Sequence, residues 1–319
     1  MSWGEDPSPD RLRPLNLGDV LDGMIRLART HWRAFAIGLG VIVVPLTLIS
    51  SLVAAQVLGT ATPGFIQMLQ NPELAESVAT QSLSQRDVLA MAGTAALSGI
   101  AALFLTPLIY GIAVHIAATG YRSGTVDPMD SVRAAARRYP ALLGTSLLVW
   151  VAPLLIFLLP VVLILIGAAV DSSGVMAAIG AFGFLISAVF ALIAVVRLIL
   201  AVPVAQIEQA GPLTALKRSN ALVKGKTGVV LGSVIVIYII VAIIGAILSW
   251  PFGLLGGMLG NEMFAIATGV GQMISSLLSY TLLGAALTLI YFDRRVRSEG
   301  YDLSQMADEL RQPPPDPAW

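Results

Sequence analysis

Six long apolar stretches, separated by shorter polar segments, dominate the hydrophobic pattern of the chain. Each has about 20 or more residues with few charges, the length that an α-helix needs to cross a hydrocarbon core about 30 Å thick. The stretches comprise residues 34–58, 88–118, 141–170, 175–202, 227–250 and 263–292. The pattern therefore predicts an all-α, polytopic transmembrane helical bundle with about six spans.

Two of the connections between the spans are short. Asp171–Gly174 predicts a tight turn that pairs the third and fourth spans as a helical hairpin, and Gly256–Glu262 predicts a glycine-rich turn before the sixth span. A membrane helix tolerates proline, because neighbouring helices satisfy the backbone groups that the proline frees. Such prolines recur along the spans, at Pro45, Pro107, Pro153, Pro160, Pro203 and Pro251.

Amphipathic basic segments precede the first, third and fifth spans. They are Leu17–Arg33, Pro128–Tyr139 and Pro212–Lys226. Asn16, Asp127 and Pro212 stand where helix N-termini prefer such residues, and basic side chains follow toward the C-terminal ends, as the helix dipole favours. We predict three interfacial helices, each followed by a pair of spans. The pattern reflects either an internal threefold repeat or even spacing alone.

Lysine and arginine fall almost entirely on one set of alternate connections. Of the 19 basic residues, only Arg86 would lie on the opposite side, and Arg197 falls within a span. Positively charged segments resist translocation, so this distribution predicts a multi-pass protein of the plasma membrane with both termini in the cytoplasm. The predicted organisation is an N-terminal cytoplasmic region at 1–33, a six-span membrane domain at 34–293 and a cytoplasmic tail at 294–319, with a short helix at 303–310.

Composition agrees with a membrane location. The 319 residues are 56% hydrophobic and 12% charged, against about 45–50% and about 25% in soluble domains, and the mean hydropathy is +0.83. A formal net charge of zero provides no overall field to attract nucleic acid, so we expect no nucleic-acid partner. The absence of cysteine excludes disulfides and thiolate chemistry. The acidic first residues predict that there is no secretory signal peptide.

Ionisable side chains are scarce in the predicted spans. Arg197 is the exception, and it lies about 9 Å of helix before Pro203 at the cytoplasmic boundary, within snorkelling reach of the interface. We expect it to pair with Glu208 or with a lipid phosphate. None of the spans carries the aspartate or glutamate that coupled transporters place near the midplane. His31 and His115 lie far apart without a nearby carboxylate pattern, so we expect no metal site.

Enzyme motifs are equally scarce. The sequence contains no Walker loop, no G-x-S-x-G and no H-E-x-x-H. We therefore predict no catalytic residues and no cofactor, and the pattern favours a non-enzymatic role. An enzyme would instead require Asp19, Asp22, Glu208 and Asp293 to converge on one pocket near the cytoplasmic interface.

Basic side chains near the predicted interface are the main candidates for contacting a lipid headgroup or a substrate. Each attracts anionic lipid by about 1 kcal/mol near the surface, and the same residues also fix the topology. The candidates are Arg137, Arg138, Lys217, Arg218, Arg294 and Arg295, together with Arg197 and Glu208.

A polar face follows the sixth span. Gln272, Ser276 and Tyr280 recur at helical intervals, either to bond neighbouring helices or to line a polar path. In the fifth span, the Gly228-x-x-x-Gly232 pattern predicts a close helix contact, within the chain or in a homo-oligomer.

Three segments carry a resemblance to a known family. They are Arg13–Asp22 (RPLNLGDVLD), Glu208–Gly225 (EQAGPLTALKRSNALVKG) and Tyr291–Leu303 (YFDRRVRSEGYDL). In this order they resemble actinobacterial membrane proteins of the glycerophosphoryl diester phosphodiesterase membrane-domain family, over nearly the whole chain. The resemblance implies a membrane architecture with cytoplasmic termini and a link to lipid or envelope metabolism. It implies no catalytic residues, because the family takes its name from relatives that carry a separate soluble phosphodiesterase domain.

The sequence is compatible with two functions. The first is a non-catalytic scaffold or accessory protein that contacts anionic membrane lipid, and an unidentified protein partner, through its basic cytoplasmic segments. The second is a passive translocator of a lipid or amphiphile, suggested by the proline-kinked helices, the polar face of the sixth span and Arg197. A continuous polar groove past Gln272, Ser276 and Arg197 would favour translocation, whereas a dry bundle would favour the scaffold.

Overall fold

The computed structural model describes residues 15–58, 85–170, 174–259 and 261–299, and throughout these ranges the protein is helical, without strands. The helices are α1 (Leu17–Thr30), α2 (Trp32–Leu58), α3 (Gln85–Ser123), α4 (Pro128–Arg137), α5 (Tyr139–Val170), α6 (Val175–Leu198), α7 (Ala201–Ile207), α8 (Pro212–Val223), α9 (Thr227–Leu259) and α10 (Asn261–Glu299). The predicted all-α helical bundle is confirmed.

Within the part of the chain that the structure describes, six segments are long and apolar enough to cross a membrane. They are Trp32–Leu52, Ala92–Ser123, Tyr139–Gly167, Ala178–Ile207, Thr227–Met258 and Ile266–Glu299. A chain with this many long apolar helices is a multi-pass integral membrane protein. The helical form is expected, because a helix satisfies its own backbone groups within lipid. The prediction of six spans is confirmed.

Helix α10 forms the centre of the bundle and packs against α9, α2, α1 and α3. All of its residues from Thr281 to Arg294 are buried. Small residues allow the neighbouring helices to approach closely. A Cβ added at Gly284 would overlap Ala113 of α3, and one added at Gly245 of α9 would lie 2.7 Å from Ser275 Oγ. These close approaches fix the helix packing around α10.

The short helices α1, α4, α7 and α8 all lie at one end of this bundle, which we call the basic end. At this end Tyr121 of α3 stacks on Phe292 of α10, with ring centroids 5.4 Å apart. His115 Nδ1 lies 3.2 Å from Ser131 Oγ of α4, and Ser219 Oγ of α8 donates to the carbonyl of Arg197 at 2.8 Å. The three predicted amphipathic segments are therefore helices that gather at the ends of the long spans.

Local signals explain where these short helices begin. Asp127 caps α4, since its carboxylate accepts from the backbone N–H of Met129 at 2.8 Å, and Pro128 occupies the first turn. Pro212 occupies the first turn of α8 in the same way. At α1, Asp19 accepts from the N–H of Asn16 at 2.9 Å. The helix starts predicted near Asn16, Asp127 and Pro212 are confirmed.

Helices α5 and α6 form the predicted hairpin and pack mainly against each other. Phe157 and Phe184 meet with ring centroids 4.8 Å apart. Gly180 lies so close to α5 that an added Cβ would stand 2.6 Å from Ile164. The outer faces of both helices carry large exposed apolar side chains such as Leu154 and Phe182. In a membrane these faces contact lipid.

Several predicted boundaries were wrong. The fifth span continues past Trp250, through Pro251, to Leu259, so the predicted turn at Gly256–Glu262 is almost entirely helical. Gly256 does not form a turn but allows α9 and α10 to approach closely, because a Cβ at this position would lie 2.7 Å from Phe264 Cα. Helix α10 likewise continues beyond residue 293 to Glu299.

The predicted close contact at Gly228 and Gly232 is not formed within the described residues. A Cβ added at either glycine would meet no atom within 4 Å.

The fourth span is interrupted near its end, between α6 and α7. Pro203 lacks the N–H that would bond the carbonyl of Ile199, and its ring collides with that carbonyl in a regular helix. Residues 199 and 200 form a turn at this point. Other predictions fall outside the described residues: most of the connection between the first and second spans, residues 171–173 of the tight turn, and the tail with its helix at 303–310.

Candidate interfacial site at the basic end

A closed ring of charged and polar side chains joins α8, the segment after α7 and the end of α10. Arg218 Nε lies 3.2 Å from Glu208 Oε2, and Tyr291 OH donates to Glu208 Oε1 at 2.9 Å. On the other side, Arg218 also pairs with Glu299. Arg295 closes the ring, since its Nε lies 3.3 Å from Glu299 Oε2 and its Nη1 donates to Tyr291 OH at 3.1 Å.

The ring contains two carboxylates and two guanidinium groups, so its formal charge is balanced. Its four charged side chains are roughly one-fifth to one-third exposed, which places them between buried pairs and freely solvated ones, whereas Tyr291 is fully buried. The arrangement holds α8 against the end of α10 rather than presenting free charge to a ligand. Glu208, Arg218 and Arg295 were candidate contacts from the sequence, and the structure brings these three together.

Sequence reasoning missed Tyr291 and Glu299 as members of this ring. Tyr291 was assigned to an apolar span, and Glu299 to a tail. The signal is nevertheless present, because Tyr291, Arg295 and Glu299 recur every four residues and therefore share one face of α10. What the spacing does not supply is the opposite wall of the ring, which comes from Glu208 and Arg218.

A second ionic cluster fastens the start of the described chain to α10. Asp293 accepts from the backbone N–H of Leu15 at 2.8 Å, and Arg297 Nη2 donates to the Leu15 carbonyl at 2.9 Å. The same carboxylate pairs with Arg297 Nε at 2.7 Å and with Arg294 Nη2 at 2.6 Å. Residues separated by 278 positions in sequence are thus held together at the basic end. We call this set the Leu15 clasp.

The four carboxylates that an enzyme would require do not share one pocket. Asp293 belongs to the Leu15 clasp, Glu208 to the ring, and Asp19 to the first turn of α1. Asp22 is exposed on α1, beside Arg26 in a shallow depression on the outer face of that helix. Within the described residues, no group of three or more histidine, aspartate and glutamate side chains could hold a metal ion.

Arg138 and Arg197 lie near the break between α6 and α7. Arg138 Nη2 donates to the carbonyls of Ala210 and Ala205, at 2.9 and 3.4 Å, and so satisfies the end of α7. Glu208, the partner predicted for Arg197, instead bonds Arg218 and Tyr291. Among the described residues, the buried Nε atoms of Arg138 and Arg197 have no hydrogen-bond partner.

Other basic side chains at the basic end are exposed on the protein surface. Arg137 and Lys217, both predicted lipid contacts, are exposed and form no ion pair with any described residue. Further exposed cations of this kind are Arg26, Arg29, Arg122, Lys224 and Lys226. Arg33 lies over the ring of Trp32, 5.4 Å from its centroid. The basic end therefore carries many cations that form no ion pair with a carboxylate of the described residues.

A cavity of about 240 Å³ opens between the start of α1, the start of α9 and the end of α10. Its charged lining consists of Lys226, Arg294 and Arg297, with Asp293 as the single carboxylate. Its remaining wall is largely apolar and includes Val229 and Val230 of α9. Gly225, with φ of +81°, makes the sharp turn from α8 into α9 that positions Lys226 here.

The predicted polar face of the sixth span lies nearer the N-terminus of α10, away from the basic end. Gln272 Nε2 lies 3.2 Å from Ser276 Oγ of the same helix, and Tyr280 packs edge-on against Tyr110 of α3, with ring centroids 5.4 Å apart. Gln272 precedes Tyr291 of the ring by about 28 Å of helix. Arg197, whose carbonyl bonds α8 at the basic end, is therefore not connected to Gln272 by any contact within the described residues.

Comparisons with known proteins give no match: no family model, no curated protein and no solved structure is significantly similar to this chain.

Proposed function

We propose that this protein is a non-catalytic scaffold or accessory protein of the plasma membrane that holds anionic lipid against its basic end, with both termini in the cytoplasm. The observation that carries the proposal is the gathering of α1, α4 and α8 at one end of the bundle, where the exposed cations outnumber the carboxylates that pair with them among the described residues. Anionic phosphate groups are the complementary chemistry that a bilayer offers at this depth.

The proposal also rests on how the carboxylates at this end are used. Glu208 and Asp293 are engaged with arginines and hold helices together. Their engagement leaves the cations at the rim, such as Arg137 and Lys217, to interact with lipid at about 1 kcal/mol each. A protein built in this way supplies a charged membrane-bound platform. The resemblance in sequence suggests that the platform serves lipid or envelope metabolism, together with a protein partner.

Lipid enrichment around the protein tests this function. The protein is reconstituted into vesicles with equal parts of phosphatidylglycerol and phosphatidylcholine and extracted, with its surrounding lipid, into polymer nanodiscs. We expect the extracted lipid to contain more phosphatidylglycerol than the bulk vesicles do, and we expect this enrichment to fall as salt screens the exposed cations. An unchanged ratio of the two lipids would contradict the proposal.

Catalysis and translocation have their own tests. Hydrolysis of a glycerophosphodiester by the purified protein would contradict a non-catalytic role. Movement of a fluorescent phospholipid between leaflets, above the rate in protein-free vesicles, would favour a translocator instead. We do not adopt the translocator, because the hydrogen bond of Gln272 is made along its own helix to Ser276, and not toward Arg197.

A further inference from the structure

The cavity between α1, α9 and α10 differs from the other charged features of the basic end, because its cations exceed its carboxylates. Lys226, Arg294 and Arg297 contribute three positive charges, and Asp293 contributes one negative charge. In the ring, by contrast, two guanidinium groups face two carboxylates. Among the residues that the structure describes, the lining of the cavity thus has two more positive charges than negative ones.

Donor groups on these cations remain available. Arg294 uses Nε and Nη2 on Asp293, and Arg297 uses Nε on Asp293 and Nη2 on the Leu15 carbonyl. Nη1 of each guanidinium therefore makes none of these bonds, while its neighbours hold the group in place. Lys226 is exposed and forms no ion pair with any described residue. Two anchored guanidinium groups and one exposed ammonium suit a phosphate, whose oxygens accept several charge-assisted hydrogen bonds.

The N-termini of two helices border the cavity and add to its positive electrostatic potential. Leu17, which lines the cavity, is the first residue of α1, a helix of 14 residues. Lys226 directly precedes the first residue of α9. The positive ends of both helix dipoles therefore lie beside the cations, where they favour a bound anion.

Below its charged rim, the cavity continues along an apolar wall. Val229 and Val230 follow Lys226 within the first turn of α9, and Ile290 faces them from α10. Val229 is exposed, at the level where the fifth span enters the membrane. A ligand that fits both parts has an anionic head and an apolar tail.

We propose that this cavity binds one anionic phospholipid, with its phosphate between Lys226, Arg294 and Arg297 and an acyl chain along the first turns of α9. The assignment rests on the lipid-binding function proposed above and locates one specific site within it. The remaining exposed cations, including Lys224, would contact lipid only through the general field of the basic end.

Lys226→Gln is the direct test, and Lys224→Gln is its matched control. Both lysines are exposed, lie in the same turn and lose the same charge on substitution, but Lys224 does not line the cavity. Retention of phosphatidylglycerol by detergent-solubilised protein is measured by native mass spectrometry as the lipid is titrated. We expect the apparent affinity of the first retained lipid to fall about fivefold in Lys226→Gln, the loss for one juxtamembrane cation, and to stay unchanged in Lys224→Gln.

A second pair of variants tests the apolar wall without changing any charge. Ser233, two turns into α9, lines the cavity, whereas Ile235 is exposed on the same helix outside it. Ser233→Phe should fill the lower part of the cavity and reduce lipid retention, while Ile235→Phe should leave retention at the wild-type level. Thermal unfolding of each variant checks that the fold is intact.

The possible outcomes separate the site from the general function. If wild-type protein retains phosphatidylglycerol no better than phosphatidylcholine, both the lipid-binding function and this site are refuted. If wild-type protein prefers phosphatidylglycerol but Lys226→Gln and Lys224→Gln weaken retention equally, the function stands and this site is refuted. If inorganic phosphate displaces the lipid and stabilises the protein as well as the lipid does, the ligand is free phosphate, and the assignment to a membrane lipid is refuted.

Discussion

Replacing Asp293 with alanine should destabilise the protein more than the loss of any exposed carboxylate. The Asp293 side chain is only 5% exposed, and it accepts hydrogen bonds from the Leu15 backbone, Arg294 and Arg297. Arg297 is 42% exposed and can be rehydrated, but Arg294 is only 10% exposed and would keep an uncompensated buried charge. Removing one partner of a buried pair costs about 3–5 kcal/mol. Because Arg297 can find water, we expect a value near the lower limit, about 3 kcal/mol.

The matched control is Asp130→Ala, which removes a carboxylate from an exposed pair. Asp130 lies 3.2 Å from Arg133, with the two side chains 67% and 64% exposed. Such pairs contribute about 0–1 kcal/mol. Reversible unfolding in mixed micelles measures both variants, and hydrogen exchange at the Leu15 amide reports whether the Leu15 clasp opens. The Leu15 clasp does not have this stabilising role if Asp293→Ala costs no more than Asp130→Ala, or if exchange at Leu15 stays as slow as in the unchanged protein.

Further substitutions test the ring and the glycine contacts by the same unfolding assay. Tyr291→Phe removes the hydroxyl that bonds two charged groups in the ring and should cost about 1.5–3 kcal/mol; an unchanged free energy would mean that the ring is not closed. Gly284→Ala should destabilise the bundle by about 1–3 kcal/mol, because its new methyl group overlaps Ala113. Gly232→Ala, which lies beyond the first turn of α9 with open space around it, should instead stabilise its helix by about 0.5–1 kcal/mol. Gly225→Ala should cost about 1–2 kcal/mol, because its φ of +81° is unfavourable for a residue with a Cβ; equal stability would contradict a left-handed conformation at this turn.

The helical architecture could be predicted from the sequence because a bilayer leaves few alternatives. A stretch such as 141–170 is too long and too apolar for a connection, and lipid forces its backbone into a helix. Helix ends were harder to predict. Apolarity stops near Phe292, but the helix continues to Glu299, because Arg295 and Glu299 pair one turn apart. Pro251 was assigned to the end of a span, although a membrane helix accommodates it.

The candidate site could be predicted only in part. The sequence identified the charged residues near the interface, because they are the few charges beside the apolar spans. It did not indicate which of them neutralise one another. The pairing of Glu208 with Arg218, rather than with Arg197, depends on how α8 packs across the end of α10. The cavity at Lys226 likewise forms only where α1, α9 and α10 pack together. The spacing of residues within one segment does not predict this packing.

The most direct test of the account is to determine on which side of the membrane the basic end lies. The chain contains no cysteine, so single cysteines can be introduced as the only reactive thiols. Suitable positions are Thr214 in α8 and Ser298 in α10 at the basic end, and Ser172 in the predicted turn between the third and fourth spans. An impermeant maleimide should label Ser172→Cys in intact cells, and should label Thr214→Cys and Ser298→Cys only in inverted membrane vesicles. Labelling of Thr214→Cys in intact cells, or labelling of Thr214→Cys and Ser298→Cys from opposite sides, would contradict a six-span bundle whose basic end faces the cytoplasm.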